Sequence, residues 1–341
     1  MTEIETGPSA GGAGDFWRGR AVFVTGATGC LGGWLIEELN RRGAVVVGLV
    51  RDVHKTMIAA QGLPTQPVHQ VAGRLEDHEV MLRAINEYEI DTVFHLGAQP
   101  IVGIANRHPL ATFETNIRGT WNLLEACRQV KTVKRVVVAS SDKAYGIADR
   151  LPYDETMPLK GSHPYDVSKS CTDLIARTYF ETYGLPVCIT RCGNFYGGRD
   201  LNWNRIVPSV IRSVLQGERP VLRSDGTMVR DYIYIRDVVR AYLLLAERMG
   251  PGIDGEAFNL SSDRPLSVLD ITRTILDLMG VLETLPPVIL NEAKSEIPAQ
   301  YLTAAKARRL LGWQPQWSLR DGLRETIDWY RDHLRQAKPA A

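Results

Sequence analysis

Thr25-Gly26-Ala27-Thr28-Gly29-Cys30-Leu31-Gly32 follows an apolar, β-branched run (Ala21 to Thr25) and opens an amphipathic one (Leu31 to Arg42). A strand that turns through closely spaced glycines into a helix lets the backbone approach a pyrophosphate while the helix N-terminus faces its charge. Gly26, Thr28, Gly29, Cys30, Leu31 and Gly32 are therefore candidate dinucleotide-binding residues. Outward from this turn the rhythm repeats. Val45 to Val50, Val68 to Val71, Thr92 to Leu96, Arg135 to Ser140 and Val187 to Thr190 read as strands, and His78 to Asn86, Ala111 to Gln129 and Pro164 to Tyr183 as helices. Such alternation predicts an α/β fold, a doubly wound parallel sheet with sites at the carboxyl ends of its strands.

After Arg191 the pattern turns irregular. A loop rich in Gly, Asn and Trp (Gly193 to Asn204) precedes short strands near Val221 and Tyr232 and helices around Ser209, Val238, Leu269, Lys306 and Leu323. The expected organisation is a flexible tail over residues 1–15, a dinucleotide-binding domain over 16–191 and a smaller, mainly substrate-binding C-terminal lobe over 192–335. Ala257 to Leu260 is a candidate strand to rejoin the main sheet, and Leu285 to Pro298 is the least structured interior segment.

The 341 residues suffice for one large α/β unit or two lobes sharing a cleft, and a net charge of +1 gives no electrostatic case for nucleic acid or a membrane surface. Five cysteines without a CxxC pair argue against a disulfide framework or zinc site and read as buried thiols in a reducing cytoplasm. No metal is expected. Met1 to Asp15 lacks the apolar core of a signal peptide, and no apolar run reaches the roughly 20 residues of a membrane helix.

Tyr165 and Lys169 are four residues apart, on one face of a helix, so that the ammonium can lower the phenol's pKa and hold a cofactor. Ser141, at the end of a strand, completes a Ser/Tyr/Lys set for moving a proton between the phenol and a sugar hydroxyl while hydride leaves the carbon. Asp142 and Lys143, beside Ser141, suggest chemistry beyond hydride transfer. At the end of the second strand stand Arg51, which tolerates a 2′-phosphate, and Asp52, which suits a free ribose 2′-hydroxyl; the order favours NADP modestly over NAD. His95, at an apolar strand end, reads as a satisfied core histidine.

These features resemble the extended short-chain dehydrogenase/reductases acting on nucleotide sugars, over nearly all of Phe16 to Leu334. The similarity is greatest to nucleoside-diphosphate-hexose 4,6-dehydratases, especially the CDP-glucose branch. It is carried by Phe16-Trp17-Arg18-Gly19, Gly32-Gly33-Trp34-Leu35, His95-Leu96-Gly97-Ala98-Gln99-Pro100, Thr115-Asn116, Ser141-Asp142-Lys143 and Leu311-Gly312-Trp313. The resemblance implies a Rossmann-type sheet and a tightly bound, recycled NADP or NAD touched also by Leu75, Leu96 and Ala98. It implies a nucleotide-diphosphate-sugar partner met by Gln99, Asn194, Arg205 and Arg230, and a homodimer packed through the Ala111 and Pro164 helices. In the implied mechanism Tyr165, Ser141 and Lys169 oxidise C4, and Asp142 donates to the departing 6-hydroxyl. Lys143 stands where many dehydratases carry a glutamate base for C5.

Two departures bear on specificity. Val229-Arg230-Asp231-Tyr232 replaces the Arg-Pro-Trp of the CDP branch, and Gly73-Arg74 replaces a Gly-Asp that touches adenine. A 4-epimerase would use Ser141, Tyr165 and Lys169 without needing Asp142 or Lys143. An NADPH-consuming reductase and a non-catalytic dinucleotide-binding protein are further alternatives.

Overall fold

A computed structural model describes residues 16–51, 69–148, 150–292 and 297–336. The expected tail and Asp52 lie outside the described residues. β1 (Ala21–Thr25), β2 (Val45–Val50), β3 (His69–Ala72), β4 (Thr92–His95), β5 (Arg135–Ala139), β6 (Val187–Cys192) and β11 (Ala257–Leu260) form one seven-stranded sheet in the order β11-β6-β5-β4-β1-β2-β3. Every pairing in it is parallel.

Alternation along each strand divides the interior, since successive side chains leave opposite faces of a sheet. Val22, Val24, Val46, Phe94, Val137 and Cys188 enter one core, while Phe23, Val47, Val93, Val136, Val138 and Ile189 enter the other. The first core continues without a break into Tyr234, Val238, Trp313 and Tyr330, so sheet and C-terminal lobe share one apolar interior. That lobe holds the parallel pair of β7 (Asn194–Tyr196) and β10 (Tyr232–Tyr234), and the pair of β8 (Val221–Leu222) and β13 (Val288–Ile289). It also holds a small sheet in which β9 (Val229–Arg230) lies between β12 (Leu266–Ser267) and β14 (Ala299–Gln300).

The Pro164–Tyr183 helix has the expected bounds, begun by a proline whose fixed φ suits the first turn and ended by Gly184 in the left-handed conformation. The run read as one helix over Ala111 to Gln129 is interrupted. Pro109–Phe113 is α-helical, Glu114–Arg118 widens into a π-turn, and Gly119–Gln129 resumes the α-helix. The strand order reverses its direction of growth between β1 and β4, and a crevice at such a switch point is where doubly wound sheets take ligands.

Candidate active site

The glycine turn lies at the carboxyl end of β1, against the segment leaving β4. Gly26 has φ +70°, and a Cβ there would lie 2.8 Å from the Gly97 backbone nitrogen. A Cβ on Gly32 would lie 2.2 Å from the Gly26 carbonyl oxygen, so the helix can sit this close to the turn only without one. The Cys30–Arg41 helix has no side-chain cap at its N-terminus. Its first N–H groups remain available to an anion. Tight glycine backbone and an uncapped helix start fit a dinucleotide pyrophosphate, with Gly26, Thr28, Gly29, Cys30, Leu31 and Gly32 around it.

The ends of β1 and β4 are joined by a buried relay. Leu96 and Gly97 donate their N–H groups to the Thr25 hydroxyl at 3.1 and 3.0 Å. With both lone pairs used, that hydroxyl donates to His95 Nδ1 at 2.8 Å. His95 Nε2–H then donates to the Thr120 hydroxyl (3.0 Å), which in turn donates to the Asn116 carbonyl (2.5 Å). Burial, and then the charge of Lys169, push the imidazole down to about 3. His95 is the satisfied core histidine expected, and it holds the loop carrying Leu96, Ala98 and Gln99.

Ser141 caps the short 3₁₀ turn Asp142–Tyr145 by accepting from the Lys143 N–H at 3.2 Å, and its hydroxyl donates to Asp142 Oδ1 at 3.0 Å. The same hydroxyl is a hydrogen-bond partner of the Tyr165 phenol. Burial is the largest influence on that phenol and pushes it up to about 12, against the lowering effect of Ser141 and Arg205; Asp142 and Asp166 add to the rise. Lys169, expected to lower the phenol, donates to the Ala139 carbonyl at 2.8 Å instead, and burial brings its own pKa down to about 8. The first turn of the helix thus brings Tyr165 to Ser141, and its second places Lys169 under the end of β5.

Asp142 is 3% exposed, and its Oδ2 has no hydrogen-bond partner among the described residues. Lys143 is half-buried, and its Nζ donates to Oε1 of Gln300 on β14. Asp166, buried beside Tyr165, has its pKa raised by burial, with the Lys143 charge next in size and opposed to it.

The residues expected on the substrate side lie on several different elements. Arg205 precedes the Ile206–Leu215 helix and pairs with Asp200 at 3.0 Å, and its charge acts on both Cys30 of the cofactor turn and Tyr165 of the catalytic helix, opposing the rise that burial causes in each. Asn194 opens β7 and is exposed. Arg230 lies on β9 in register with Gln300 on β14. Gln99 accepts the Ile101 N–H through Oε1 at 2.9 Å, while Asn116 Oδ1 accepts the Gln99 N–H at 2.7 Å. Leu75 is buried against the backbone of Gly119, and Arg51 is exposed at the end of β2. Sequence reasoning missed Thr25, Asn116, Gln300 and the buried Asp231, whose Oδ1 accepts from both the N–H and hydroxyl of Ser262. Thr25, Asn116 and Asp231 had a signal, through the motifs containing them, and Gln300 had none.

Residues 22–261 match the NAD dependent epimerase/dehydratase family. The chain is 29% identical over 338 residues to a CDP-glucose 4,6-dehydratase of Salmonella typhimurium, covering 94% of this chain and 93% of the relative. It is 31% identical over 325 residues to a dTDP-glucose 4,6-dehydratase of Streptomyces antibioticus, covering 93% and 94%. Among solved structures, dTDP-glucose 4,6-dehydratase of Streptomyces venezuelae with NAD bound superposes with a TM-score of 0.81 at 28% identity, covering 93% of this chain and 98% of the other. The UDP-glucose 4-epimerase of Thermotoga maritima, solved with UDP-glucose, does so with 0.84 at 30%, covering 92% and 99%.

Proposed function

The chain belongs to the NAD dependent epimerase/dehydratase family, and on that premise we propose that it is a nucleoside-diphosphate-hexose 4,6-dehydratase forming a 4-keto-6-deoxyhexose. One observation carries the choice of dehydratase over epimerase: the Oδ2 of Asp142, which has no hydrogen-bond partner among the described residues, buried next to the Ser141 hydroxyl. An epimerase has no use for an acid at the 6-hydroxyl.

Tyr165 takes the proton of the sugar 4-hydroxyl while Ser141 holds that oxygen; the Ser141 hydrogen bond and the Arg205 charge favour the phenolate this needs, against burial. NAD or NADP, held by the glycine turn and Lys169, would supply a hydride acceptor and donor that is regenerated within one turnover. The 4-ketone acidifies C5; Lys143 stands as the base that takes the C5 proton, and Asp142 gives a proton to the 6-hydroxyl, which leaves as water. Lys169 holds the cofactor. Asn194, Arg205 and Arg230 grip the diphosphate, where a guanidinium can bond two oxygens at once, and Gln99 faces the sugar. Apart from β11, which joins the main sheet, residues 192–335 are mainly the nucleotide-sugar-binding lobe. Arg51, closing β2, favours NADP.

Exposed apolar side chains on the two expected helices, Trp121 (44%) and Leu174 (56%), with Leu110 (72%) just before the π-turn, support a homodimer through this face. Among the described residues no helix is long and apolar enough to cross a membrane, and all five cysteines are free, which supports a cytoplasmic enzyme.

The test is incubation with UDP-, CDP-, GDP- and dTDP-hexoses, with NAD and NADP in parallel, followed by mass spectrometry. Loss of one water from a donor, without net change in the cofactor, is the expected result. Interconversion of C4 epimers with no water loss from any donor would overturn the assignment.

A further inference from the structure

We propose that Gln300 is a positioning residue for Lys143, and that through it the small sheet carrying Arg230 sets the amine that acts in water loss. This rests on the dehydratase reading and goes beyond it, since Gln300 belongs to no motif and is 157 residues from its partner. Four observations converge. Gln300 is completely buried, and its Oε1 accepts from the Lys143 ammonium, which ties β14 to the turn after β5. β14 is held beside β9, with Gln300 in register with Arg230. Lys143 lies on a turn fixed by the Ser141 cap, so its amine, not its backbone, is the part left to be aimed. Asp166, buried at the start of the Tyr165 helix, lies near enough for the Lys143 charge to lower its pKa against burial.

An amide oxygen is a neutral acceptor. It fixes where the amine points without adding a charge that would hold the amine permanently protonated, as a carboxylate there would. That suits a group which has to exchange a proton. The charged or titratable groups gathered around the pair are Asp142 on the same turn, Asp166 and His163 at the helix start, Tyr153 on the intervening loop, and Arg230 on β9. None of them changes in the variants below.

The experiment compares wild type, Gln300→Leu and Gln300→Glu on the nucleoside-diphosphate glucose that loses water with the wild type, and on its 6-deoxy analogue. The analogue can be oxidised at C4, seen as reduced nicotinamide absorbance, but has no 6-hydroxyl to lose. In both variants C4 oxidation of the analogue and KM for the glucose donor should stay within about twofold, while kcat for water loss falls about tenfold or more in Gln300→Leu, in the range for a misplaced acid or base. The limb of the water-loss pH profile should move to lower pH in Gln300→Leu and to higher pH in Gln300→Glu, by about one unit each, because losing an acceptor favours the neutral amine and adding a carboxylate favours the ammonium.

Equal loss of C4 oxidation and water loss, or a limb that stays in place in both variants, would overturn the proposal. A wild-type chain that removes no water from any donor refutes the dehydratase reading itself, and the proposal with it.

Discussion

Lys169→Met should make the protein more stable at neutral pH while abolishing turnover. Lys169 is 5% exposed, and burial brings its pKa from 10.5 to about 8. Each unit is worth about 1.4 kcal/mol, so holding this ammonium in the folded chain at pH 7 costs about 3 kcal/mol. Methionine matches the stem and removes that cost, but it leaves the Ala139 carbonyl without its 2.8 Å donor, a loss of about 1–2 kcal/mol. The net expectation at pH 7 is a gain of about 1–2 kcal/mol.

The pH dependence gives the sharper test. Between about 8 and 10.5 the unfolded wild type binds more protons than the folded one, so wild-type stability rises with pH across that window, and the full cost is present only below it. At about pH 9.5 the cost falls to about 1 kcal/mol, and the variant's advantage should shrink by about 2 kcal/mol. Urea unfolding at both pH values, without added nucleotide, measures the two differences. An advantage that is constant or grows with pH would refute the reasoning.

Two neighbouring glycines should respond with opposite signs. Gly32→Ala places a methyl 2.2 Å from the Gly26 carbonyl; it should cost about 1–3 kcal/mol in thermal unfolding and weaken NAD binding by calorimetry. Gly33→Ala meets nothing within 4 Å, and should gain about 0.5–1 kcal/mol with binding retained; equal effects would contradict the cradle. Trp121→Glu combined with Leu174→Glu should convert a dimer into a monomer in light scattering, and a monomeric wild type would remove the proposed face.

Readable in advance were the elements where one short segment carries both position and chemistry. The turn at Gly26 to Gly32 shows its strand, glycines and helix together, and the Tyr165 to Lys169 spacing fixes one helix face by itself. The β-branched strands announce a parallel sheet because both their faces are covered. What escaped notice depends on contacts between distant segments. Nothing near Gln300 marks it as a partner of Lys143, and the relation follows only from the pairing of β14 with β9. Lys169 was misjudged in its bonding because a spacing argument places a side chain on a face but does not say which acceptor, phenol or carbonyl, lies nearer its end.

The interrupted helix illustrates the same limit and has a consequence for the site. Propensity reads Ala111 to Gln129 as one regular helix, since no proline or glycine pair breaks the interior before Gly119. A π-turn costs hydrogen-bond geometry and persists where something outside the helix rewards it. Here Asn116 lies within the widened turn, 2% exposed, with Oδ1 on the Gln99 N–H and Nδ2 on the Gln99 carbonyl and the Ser168 hydroxyl. Its own carbonyl accepts from Thr120 and Thr172. One residue thereby ties the loop after β4, which borders the cofactor turn, to the helix carrying Tyr165 and Lys169. The distortion exchanges helix regularity for a fixed distance between the two halves of the site, a relation that becomes visible only when β4 and the catalytic helix are seen together.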